Sequence, residues 1–403
     1  MMKSKQLTGL ILAGVTGLTM VGMVACDGDN PIGGVALKTP NLANASSFDY
    51  EHVTMVNGSS LSVKDMILGR SFRFTNMGFP NTGGGSVDKD MQEAANTFSN
   101  ASAKLGRVLF YDKRMSLNNT VSCGSCHHQS LGFSDRMPVS VGFGGKVTRR
   151  NSMSINNPVS FNNLFWDSRA QSPMDLSLRP VFDHIEMGME SDEMLEKKLA
   201  ATDFYGPLFQ EAFGSTEITR RKVSLAITHF VTSMVTMNSK NDKVNEGLAQ
   251  FTMMEKMGHD LFFSERASCF KCHNGTNFSA PDDPGGAYGA PTVAGTANIG
   301  LDKTYADNGK GNGKFRIPSL RNIELSGPYM HDGRFGTLES VIDHYSRGIQ
   351  AHPHLDANLK DDRGNPKRMN FTSEEKDALI AFLRTLTDVS FISNPKYSDP
   401  FAN

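Results

Sequence analysis

Helical periodicity is the dominant pattern of apolar and polar residues along this chain. A helical pattern begins near residue 91 and runs towards residue 110, and residues 220–234 form a second amphipathic stretch. A third stretch begins with the capping box Thr372-Ser373-Glu374-Glu375. The buried faces of the second and third stretches would be Val223, Ile227, Phe230 and Met234, and Leu379, Phe382, Leu383 and Leu386. Since no regular alternation demands a large sheet, we predict a mainly α fold with long loops.

The two halves of the chain repeat the same motifs in the same order, which indicates an internal duplication. In the first pair, Gly106-x-x-Leu109-Phe110-Tyr111 corresponds to Gly258-x-x-Leu261-Phe262-Phe263. In the second pair, Ser154-Ile155-Asn156-Asn157 corresponds to Ser319-Leu320-Arg321-Asn322. In the third pair, Trp166-Asp167-Ser168-Arg169 corresponds to His331-Asp332-Gly333-Arg334. A chain of 403 residues is long enough for two domains. We predict an N-terminal domain over residues 91–245 and a C-terminal domain over residues 246–390, joined by the helix near residues 220–240. Within the C-terminal domain, residues 281–314 are predicted to be a long Gly- and Asp-rich loop. Residues 391–403 form a tail after the second domain.

Residues 1–26 have the pattern of a bacterial export signal. Lys3 and Lys5 supply the positive end, and the apolar or small residues 7–25 end at Cys26. Met23-Val24-Ala25-Cys26 resembles a lipoprotein cleavage box, which would make Cys26 the lipid-anchored first residue. An uncleaved anchor helix and an ordinary signal peptide are the alternatives.

The composition of residues 27–90 and the overall charge of the chain bear on its cellular location and its partners. Residues 27–90 are rich in Asn, Ser, Gly and Asp, and are predicted to be a tether with short irregular structure. The net charge of -1 gives no support for nucleic-acid binding or for a polybasic membrane patch. We therefore expect a globular protein outside the cytoplasm, in the periplasm or cell envelope, held to a membrane by a lipid anchor.

Four of the five cysteines lie in two copies of one motif. The copies are Cys123-Gly124-Ser125-Cys126-His127 and Cys269-Phe270-Lys271-Cys272-His273. Cys-x-x-Cys-His is the attachment motif of c-type haem, in which two thiols bond to the porphyrin and the histidine ligates its iron. A structural zinc site or a thioredoxin-like redox pair gives no reason for a histidine directly after both pairs. The residues predicted to hold two covalent haems are thus Cys123, Cys126 and His127, and Cys269, Cys272 and His273.

The halves differ at the position expected to face each iron from the side opposite the motif histidine. When Arg169 is aligned with Arg334, Pro180 corresponds to Tyr345, each eleven residues further on. A tyrosine can ligate haem iron through its phenolic oxygen, whereas proline has no ligating group. We therefore expect a closed second haem, and a first haem with an open position at which an oxidant binds.

Two further residues are candidates for catalysis. Glu186, six residues after Pro180, could move a proton between the two oxygens of bound peroxide, or it could be a solvated loop acid. Trp166, the single tryptophan, takes the place of His331 and could relay electrons between the haems, or it could be a core aromatic. His184 is a rival ligand for the first iron. The arginines beside the motifs, which could bind haem propionates or be surface charges, are Arg149, Arg150, Arg316 and Arg321.

Residues 91–388 resemble the bacterial di-haem cytochrome c peroxidase family, including its MauG branch. The resemblance rests on both haem motifs, on the segment Leu105-Gly106-Arg107-Val108-Leu109-Phe110-Tyr111, on Phe165-Trp166-Asp167-Ser168-Arg169, on Phe315-Arg316-Ile317-Pro318-Ser319-Leu320-Arg321-Asn322, and on Pro328-Tyr329-Met330-His331-Asp332-Gly333. It implies that the N-terminal haem reduces hydrogen peroxide and that the C-terminal haem receives electrons. It also implies Trp166 between the haems, with Glu186 and Pro180 on the distal side.

The chain departs from the family's pattern at three places. Typical peroxidases have a distal histidine that blocks the resting iron where this chain has Gly142-Phe143-Gly144, so we expect that no reductive activation is needed. Tyr345 stands where typical peroxidases have methionine, as in the MauG branch, and Met330 is the fallback ligand. Anionic tyrosinate favours oxidised iron. Leu176 replaces a distal glutamine and removes a hydrogen-bond donor from the peroxide pocket.

Taken together, these features predict an exported, lipid-anchored di-haem peroxidase that acts on hydrogen peroxide. The resemblance also implies a calcium ion between the domains, bound by the Asn151 side chain and by the carbonyls of Ser326 and Pro328. The electrons would come from a small cytochrome c or copper protein, or from side chains of a protein substrate in a MauG-like oxidation. The alternative from another class is a di-haem electron-transfer protein without peroxide chemistry, in which both irons are fully ligated.

Overall fold

Helices form most of the regular structure, and the strands of the described residues form two short antiparallel pairs. The computed structural model describes residues 37–402, apart from residue 44, residues 69–87, residue 162 and residues 281–294. The strands are β1 (His52–Thr54) paired with β2 (Ser60–Ser62), and β3 (Thr296–Ala297) paired with β4 (Phe315–Arg316). The α-helices are α1 (Val63–Ile67), α2 (Lys89–Thr97), α3 (Asn100–Tyr111), α4 (Pro173–Leu176), α5 (Arg179–Phe182), α6 (Asp192–Ala200), α7 (Tyr205–Phe213), α8 (Arg220–Thr232), α9 (Lys240–Asn245), α10 (Met253–Phe262), α11 (Leu338–Asp343), α12 (Ser373–Arg384) and α13 (Val389–Ile392). The predicted mainly α fold is confirmed.

The core of the first half is built around helices α3 and α8. Ser99 caps α3, because its hydroxyl accepts a hydrogen bond from the backbone N–H of Ser102 (3.1 Å). This cap and the extended backbone of Phe98 divide the helical pattern predicted over residues 91–110 into α2 and α3. Every residue of α8 from 223 to 232 is buried. Helix α8 is therefore a core element of the first half, which differs from its predicted role as a connection between the halves.

Glycine permits a close approach of two helices in each half. A Cβ on Gly106 of α3 would lie 1.8 Å from the carbonyl oxygen of Ala226 in α8. A Cβ on Gly258 of α10 would likewise lie 1.8 Å from the carbonyl oxygen of Ala378 in α12. Helix α12 begins at the predicted capping box, with Thr372 as its N-cap. The same helix crossing thus occurs in both halves, as the sequence duplication predicts.

Segments outside the two predicted domains pack on the first half. Residues 45–68, predicted to belong to a tether, form β1, β2 and α1, and the fully buried Tyr50 donates a hydrogen bond to the carbonyl of Lys396 (3.0 Å). Phe391 and Tyr397 of the predicted tail lie in the same hydrophobic core as α3 and α8. Both segments are therefore folded parts of the N-terminal half.

Several predictions concern residues that the structure does not describe. These are residues 1–36, with the export signal and Cys26, and residues 281–294 of the predicted loop. Among the helices of the described residues, none combines the length and the apolar character needed to cross a bilayer. Both halves belong to one compact unit, and the boundary between residues 245 and 246 stays a prediction.

Because the helices cross so closely, we predict that replacing either crossing glycine with alanine strongly destabilises the protein. Gly106→Ala and Gly258→Ala should each destabilise the protein by about 1–3 kcal/mol or more, because the added methyl group overlaps backbone atoms that cannot move independently. Urea unfolding of the haem-loaded protein, followed by far-UV circular dichroism, measures this change.

Gly206 of α7 provides the matched control, since a Cβ there would meet nothing within 4 Å. Gly206→Ala should leave stability unchanged or raise it by up to about 1 kcal/mol, because alanine favours the helix. If all three variants unfold at the same urea concentration, the close crossings do not constrain the fold.

The buried imidazole of His229 in α8 couples the stability of the first half to pH. Its Nε2 donates to the carbonyl of Ala94 (2.9 Å), and its Nδ1 accepts from the hydroxyl of Ser102 (2.7 Å). Burial lowers the pKa of His229 to about 4, although the hydrogen bond to Ala94 opposes the shift. Histidine in an unfolded chain has a pKa of about 6.5, so the unfolded state binds the extra proton first. Stability is therefore lost as the pH falls from about 6.5 towards 4.

We expect the contribution of His229 to the free energy of unfolding to fall by about 3 kcal/mol between pH 7 and pH 4, at about 1.4 kcal/mol per unit of pKa shift. His229→Gln removes this titration, so the stability difference between wild type and variant should change with pH by that amount in urea unfolding. His354→Gln, at an exposed position, is the control. A difference that stays constant from pH 7 to pH 4 would refute the coupling.

Candidate functional site

One cavity of about 580 Å³ is lined by residues of both Cys-x-x-Cys-His motifs. Most of its lining residues are apolar, and its size lies within the range of cofactor pockets. The motif residues that line it are Cys126 and His127 from the first half, and Cys269, Cys272 and His273 from the second. Cys123 packs beside the first hydrophobic core. The fold therefore brings the two predicted haem-binding motifs to one shared space.

The first motif forms a tight turn that presents its histidine to the cavity. Residues Cys123–Ser125 form a 3₁₀ turn, and the backbone N–H of His127 donates to the carbonyl of Cys123 (3.0 Å). The His127 Nδ1 then donates to the carbonyl of Phe133 (2.7 Å). Burial lowers the pKa of His127. The imidazole is thus neutral and oriented, and its Nε2 is the nitrogen left for iron.

The second motif has the same construction. Residues Cys269–Lys271 form a 3₁₀ turn, and the His273 Nδ1 donates to the carbonyl of Phe278 (3.0 Å). Burial lowers the pKa of His273 to about 4. Phe133 and Phe278, the two acceptors, both have a left-handed backbone, with φ of 60° and 48°. Such angles are uncommon for non-glycine residues, so their recurrence marks an equivalent turn in each half.

The cysteines fit covalent haem attachment better than zinc. Burial raises the pKa of the Cys123, Cys269 and Cys272 thiols to about 12 and that of Cys126 to about 11. Zinc binds thiolates, and burial of this kind disfavours them. Across the described ranges, no three His, Cys, Asp or Glu side chains are placed to hold one metal ion. The four thiols therefore do not converge on a single tetrahedral site.

Two equivalent loops bring Trp166 and His331 to corresponding positions. An antiparallel bridge between Leu164 and Ala170 closes the first loop, and one between Tyr329 and Phe335 closes the second. The second residue of each loop has a left-handed backbone, with φ of 65° at Phe165 and 74° at Met330. The alignment of Trp166 with His331 made from sequence therefore corresponds to a real equivalence of backbone structure.

Hydrogen bonds fix Trp166 where the two halves meet. Its Nε1 donates to the carbonyl of Asn151 (2.9 Å), and the Asn151 N–H donates to the carbonyl of His331 (2.8 Å). The backbone N–H of Arg316 donates to the carbonyl of Trp166 (2.7 Å). Trp166 also lines the cavity that both motifs share. Asn151 of the first half therefore orients the Trp166 side chain, while Arg316 of the second half binds the Trp166 backbone.

Pro180 and Tyr345 line the same cavity, as the duplication predicts. Tyr345 lies in a π-helical turn, His344–Gly348, that continues α11, whereas Pro180 lies in the short helix α5. Single π-helical turns inside helices are frequent at functional sites. The Tyr345 hydroxyl makes no hydrogen bond to any residue that the structure describes. Burial, and then the neighbouring Cys272 and Cys269, raise the pKa of Tyr345, so the phenolate needs a nearby cation.

Glu186 lines the cavity beside Pro180, at a turn organised by Asp183. The Asp183 carboxylate accepts hydrogen bonds from the backbone N–H groups of Ile185 (2.7 Å) and Glu186 (3.3 Å). Burial raises the pKa of Glu186, Asp183 adds to this shift, and Arg169 opposes it. Glu186 can therefore hold a proton in a range where an exposed glutamate cannot.

The two other groups considered near the first iron point elsewhere. His184 is exposed and does not line the cavity, so its position does not suit an iron ligand. The backbone N–H of Phe143 donates to the carbonyls of Ile185 and Glu186 (both 2.8 Å), and its ring packs against Gly188. Phe143 thus supports the turn that carries Glu186.

The arginines have different roles. Arg321 is fully buried and forms a two-bond pair with Asp242 (2.7 and 2.9 Å), so its predicted contact with a haem propionate is wrong. Arg150 lines the cavity and pairs with Asp307 (2.6 Å) and Asp167 (2.6 Å). Arg149 and Arg316 also line the cavity. The sequence does not reveal these ion pairs, because Asp242 and Asp307 are far along the chain from Arg321 and Arg150 and come close only in the folded protein.

The residues predicted for calcium and for the fallback ligand also line this cavity. They are Asn151, Ser326, Pro328 and Met330. The Asn151 side-chain amide nitrogen donates to the carbonyls of Met137 and Pro138 (both 3.2 Å), which leaves its oxygen as the atom suited to a cation. The calcium site stays a prediction.

Known proteins with similar sequences are haem enzymes. The family profile described as "Di-haem cytochrome c peroxidase" matches residues 100–250. The methylamine utilization protein MauG of Methylorubrum extorquens is 34% identical over 305 residues, which cover 72% of this chain and 80% of that protein. The cytochrome c551 peroxidase of Nitrosomonas europaea is 31% identical over 300 residues, covering 71% of this chain and 79% of that protein.

A solved structure is similar in both sequence and fold. A MauG-like protein associated with microbial copper homeostasis is 35% identical, with a TM-score of 0.67, and the match covers 76% of this chain and 94% of that one. Identity at this level over most of both chains, together with two Cys-x-x-Cys-His motifs that both contribute residues to one cavity, identifies the family. The chain belongs to the di-haem cytochrome c peroxidase family, which includes MauG and whose members are peroxidase-type enzymes with two c-type haems.

Proposed function

We propose that this protein reduces hydrogen peroxide at the first haem site, on the side lined by Pro180 and Glu186. The proposal rests on the unequal pair Pro180 and Tyr345, which the sequence duplication aligns and which both line one cavity. A proline leaves its side of the first site without a ligand, and a tyrosine supplies one at the second. The haems supply the redox chemistry, while the protein sets access, ligation and proton supply.

Glu186 is proposed to move the proton that peroxide cleavage requires. Its carboxylate would take a proton from one peroxide oxygen and return it to the other, which leaves as water when the O–O bond breaks. The remaining oxygen becomes a second water after two electrons from the donor and two protons have been supplied. Burial is the main cause of the raised pKa of Glu186, and a raised pKa favours the protonated form that a general acid needs. The turn organised by Asp183 fixes the carboxyl group at the cavity wall.

Tyr345 and Trp166 are proposed to serve the electron path. Tyr345 would ligate the second iron opposite His273, and this ligation favours the oxidised state because phenolate is anionic. Trp166 is held between the halves by its bond to Asn151, so its ring would provide a fixed intermediate position for electron transfer. The same arrangement serves either direction of electron flow.

The electrons could be supplied by either of two kinds of protein, which gives two versions of this proposal. In the first, a small cytochrome c or copper protein reduces the second site. In the second, side chains of a partner protein are oxidised, and Tyr345 at the methionine position favours this MauG-like version. The relatives include a methylamine utilization protein and a MauG-like protein associated with microbial copper homeostasis. The family is periplasmic, and we propose that location here.

Mixing the diferric protein with hydrogen peroxide tests the proposal directly. The haem absorption should change without prior reduction, and the resting spectrum should contain a high-spin component. Glu186→Gln should slow the change by about 10²–10⁴-fold, because the proton is no longer transferred by a positioned acid. Stopped-flow absorption spectroscopy measures both rates.

The control for this experiment is Glu190→Gln, an exposed acid four residues further along the same segment. It should react at the wild-type rate. Two fully low-spin haems that respond to neither cyanide nor peroxide would instead identify an electron carrier. An unchanged rate in Glu186→Gln would remove the proposed acid–base role alone.

Substitution of Tyr345 tests the ligation of the second haem. Tyr345→Phe should convert the spectrum of one ferric haem from six-coordinate to five-coordinate, because the phenolic oxygen is lost. Tyr329→Phe is the matched control, since that hydroxyl donates to the carbonyl of Ile323 (3.0 Å) in the same cavity. Electron paramagnetic resonance of the ferric protein reports the change. If Met330→Leu produces it and Tyr345→Phe does not, Met330 is the ligand.

A further inference from the structure

A second cavity adjoins the first and leads to the surface. Its volume is about 720 Å³, and its lining includes the exposed side chains of Arg179, Arg220 and Arg221. Five residues line both cavities, so they form the partition between solvent and the distal side of the first haem site. They are Phe165, Arg169, Pro180, Asp183 and Glu186.

The centre of the partition is a stacked pair. The Arg169 guanidinium lies 3.5 Å from the centroid of the Phe165 ring, and its Nη1 pairs with Asp167 (2.9 Å). A cation over an aromatic ring at this distance is attracted by the ring's electron density. The Arg169 side chain is 42% exposed, so the pair lies at the boundary with solvent. Phe165, Arg169 and Glu186 all line both cavities, so the stacked pair shares the partition with the proposed acid.

The backbone holds Phe165 in this position. Its left-handed conformation, φ 65°, is costly for a bulky residue and is maintained by the bridge between Leu164 and Ala170. The neighbouring Trp166 is fixed on Asn151 at the junction of the halves. The loop therefore serves two functions: Trp166 faces the shared site, and Phe165 with Arg169 forms part of the wall of the second cavity.

The charges at the rim of the second cavity are balanced. Arg179 pairs with Asp175 (2.7 Å), and Arg221 pairs with Asp90 (2.7 Å). Arg220 pairs with Asp192 (3.1 Å). A rim of paired charges neither attracts an anion nor repels it over a long range, which suits the passage of a small neutral molecule.

From this geometry we infer that Phe165 and Arg169 set the size limit for oxidants that reach Glu186 through the second cavity. They admit hydrogen peroxide and exclude bulky organic hydroperoxides. This inference rests on the proposed function, because it assumes that the oxidant reacts beside Glu186. The reaction remains the reduction of hydrogen peroxide, in which two electrons from the donor and two protons convert it to two water molecules.

Comparison of small and large ligands tests the inference without relying on turnover. We would measure association rates of cyanide and of imidazole with the ferric haem-loaded protein, and rates of reaction with hydrogen peroxide and with cumene hydroperoxide. Phe165→Ala should raise the rate for each larger reagent relative to its small counterpart by at least about tenfold, since the ring no longer occupies the opening. Arg169→Lys keeps the charge but loses the planar stack, so it should change the ratio in the same direction.

Arg221→Ala, at the rim of the same cavity, is the control and should leave both ratios unchanged. Phe165→Leu serves as the second variant if Phe165→Ala does not load haem. Identical ratios in wild type and all the variants would overturn the size limit while leaving the proposed function intact. Failure of wild type to react with cyanide or peroxide would overturn both.

Discussion

The hydrogen bond from each motif histidine to a backbone carbonyl is the interaction on which the rest of the site depends. His127 and His273 each donate Nδ1–H, to Phe133 and Phe278 respectively, and so present Nε2 to the cavity. A histidine that could rotate would fix neither the position of an iron nor the side on which a distal residue acts. Because both acceptors lie in equivalent left-handed turns, the two sites begin from the same geometry. Differences between them must therefore arise on the opposite side.

The duplicated backbone carries different side chains at a few positions, and we propose that those positions set the chemistry of each site. Trp166 and His331 follow residues with the same unusual φ, in loops closed by the same bridge. Pro180 and Tyr345 then line one cavity from the two halves. In the proposed function, the duplicated backbone would thus support one open site and one ligated site. Such a separation of roles would require few substitutions, because both side chains already line the shared cavity.

The sequence predicts those features that local patterns determine. The haem motifs, the capping box at Thr372 and the amphipathic helix ending near Met234 are signals contained within a few residues. The division between α2 and α3 was missed, although Ser99 is a good N-cap, because the apolar period continues across it. The packing of Tyr50 on Lys396 and the pair of Arg321 with Asp242 join distant segments, so no local pattern reports them. The π-helical turn at Tyr345 was not predicted, because the sequence carries no proline or glycine signal at its start.

Burial raises the pKa of an acidic side chain in each half, and the consequence differs between the halves. In the first half it raises the pKa of Glu186, which favours the protonated carboxyl group that the proposed proton transfer needs. In the second half it raises the pKa of Tyr345, so the phenolate exists only where a cation offsets the cost of burying charge. Ferric iron is such a cation, and ferrous iron offsets less of that cost. The same apolar cavity would therefore store a proton beside the first site and favour the oxidised state at the second.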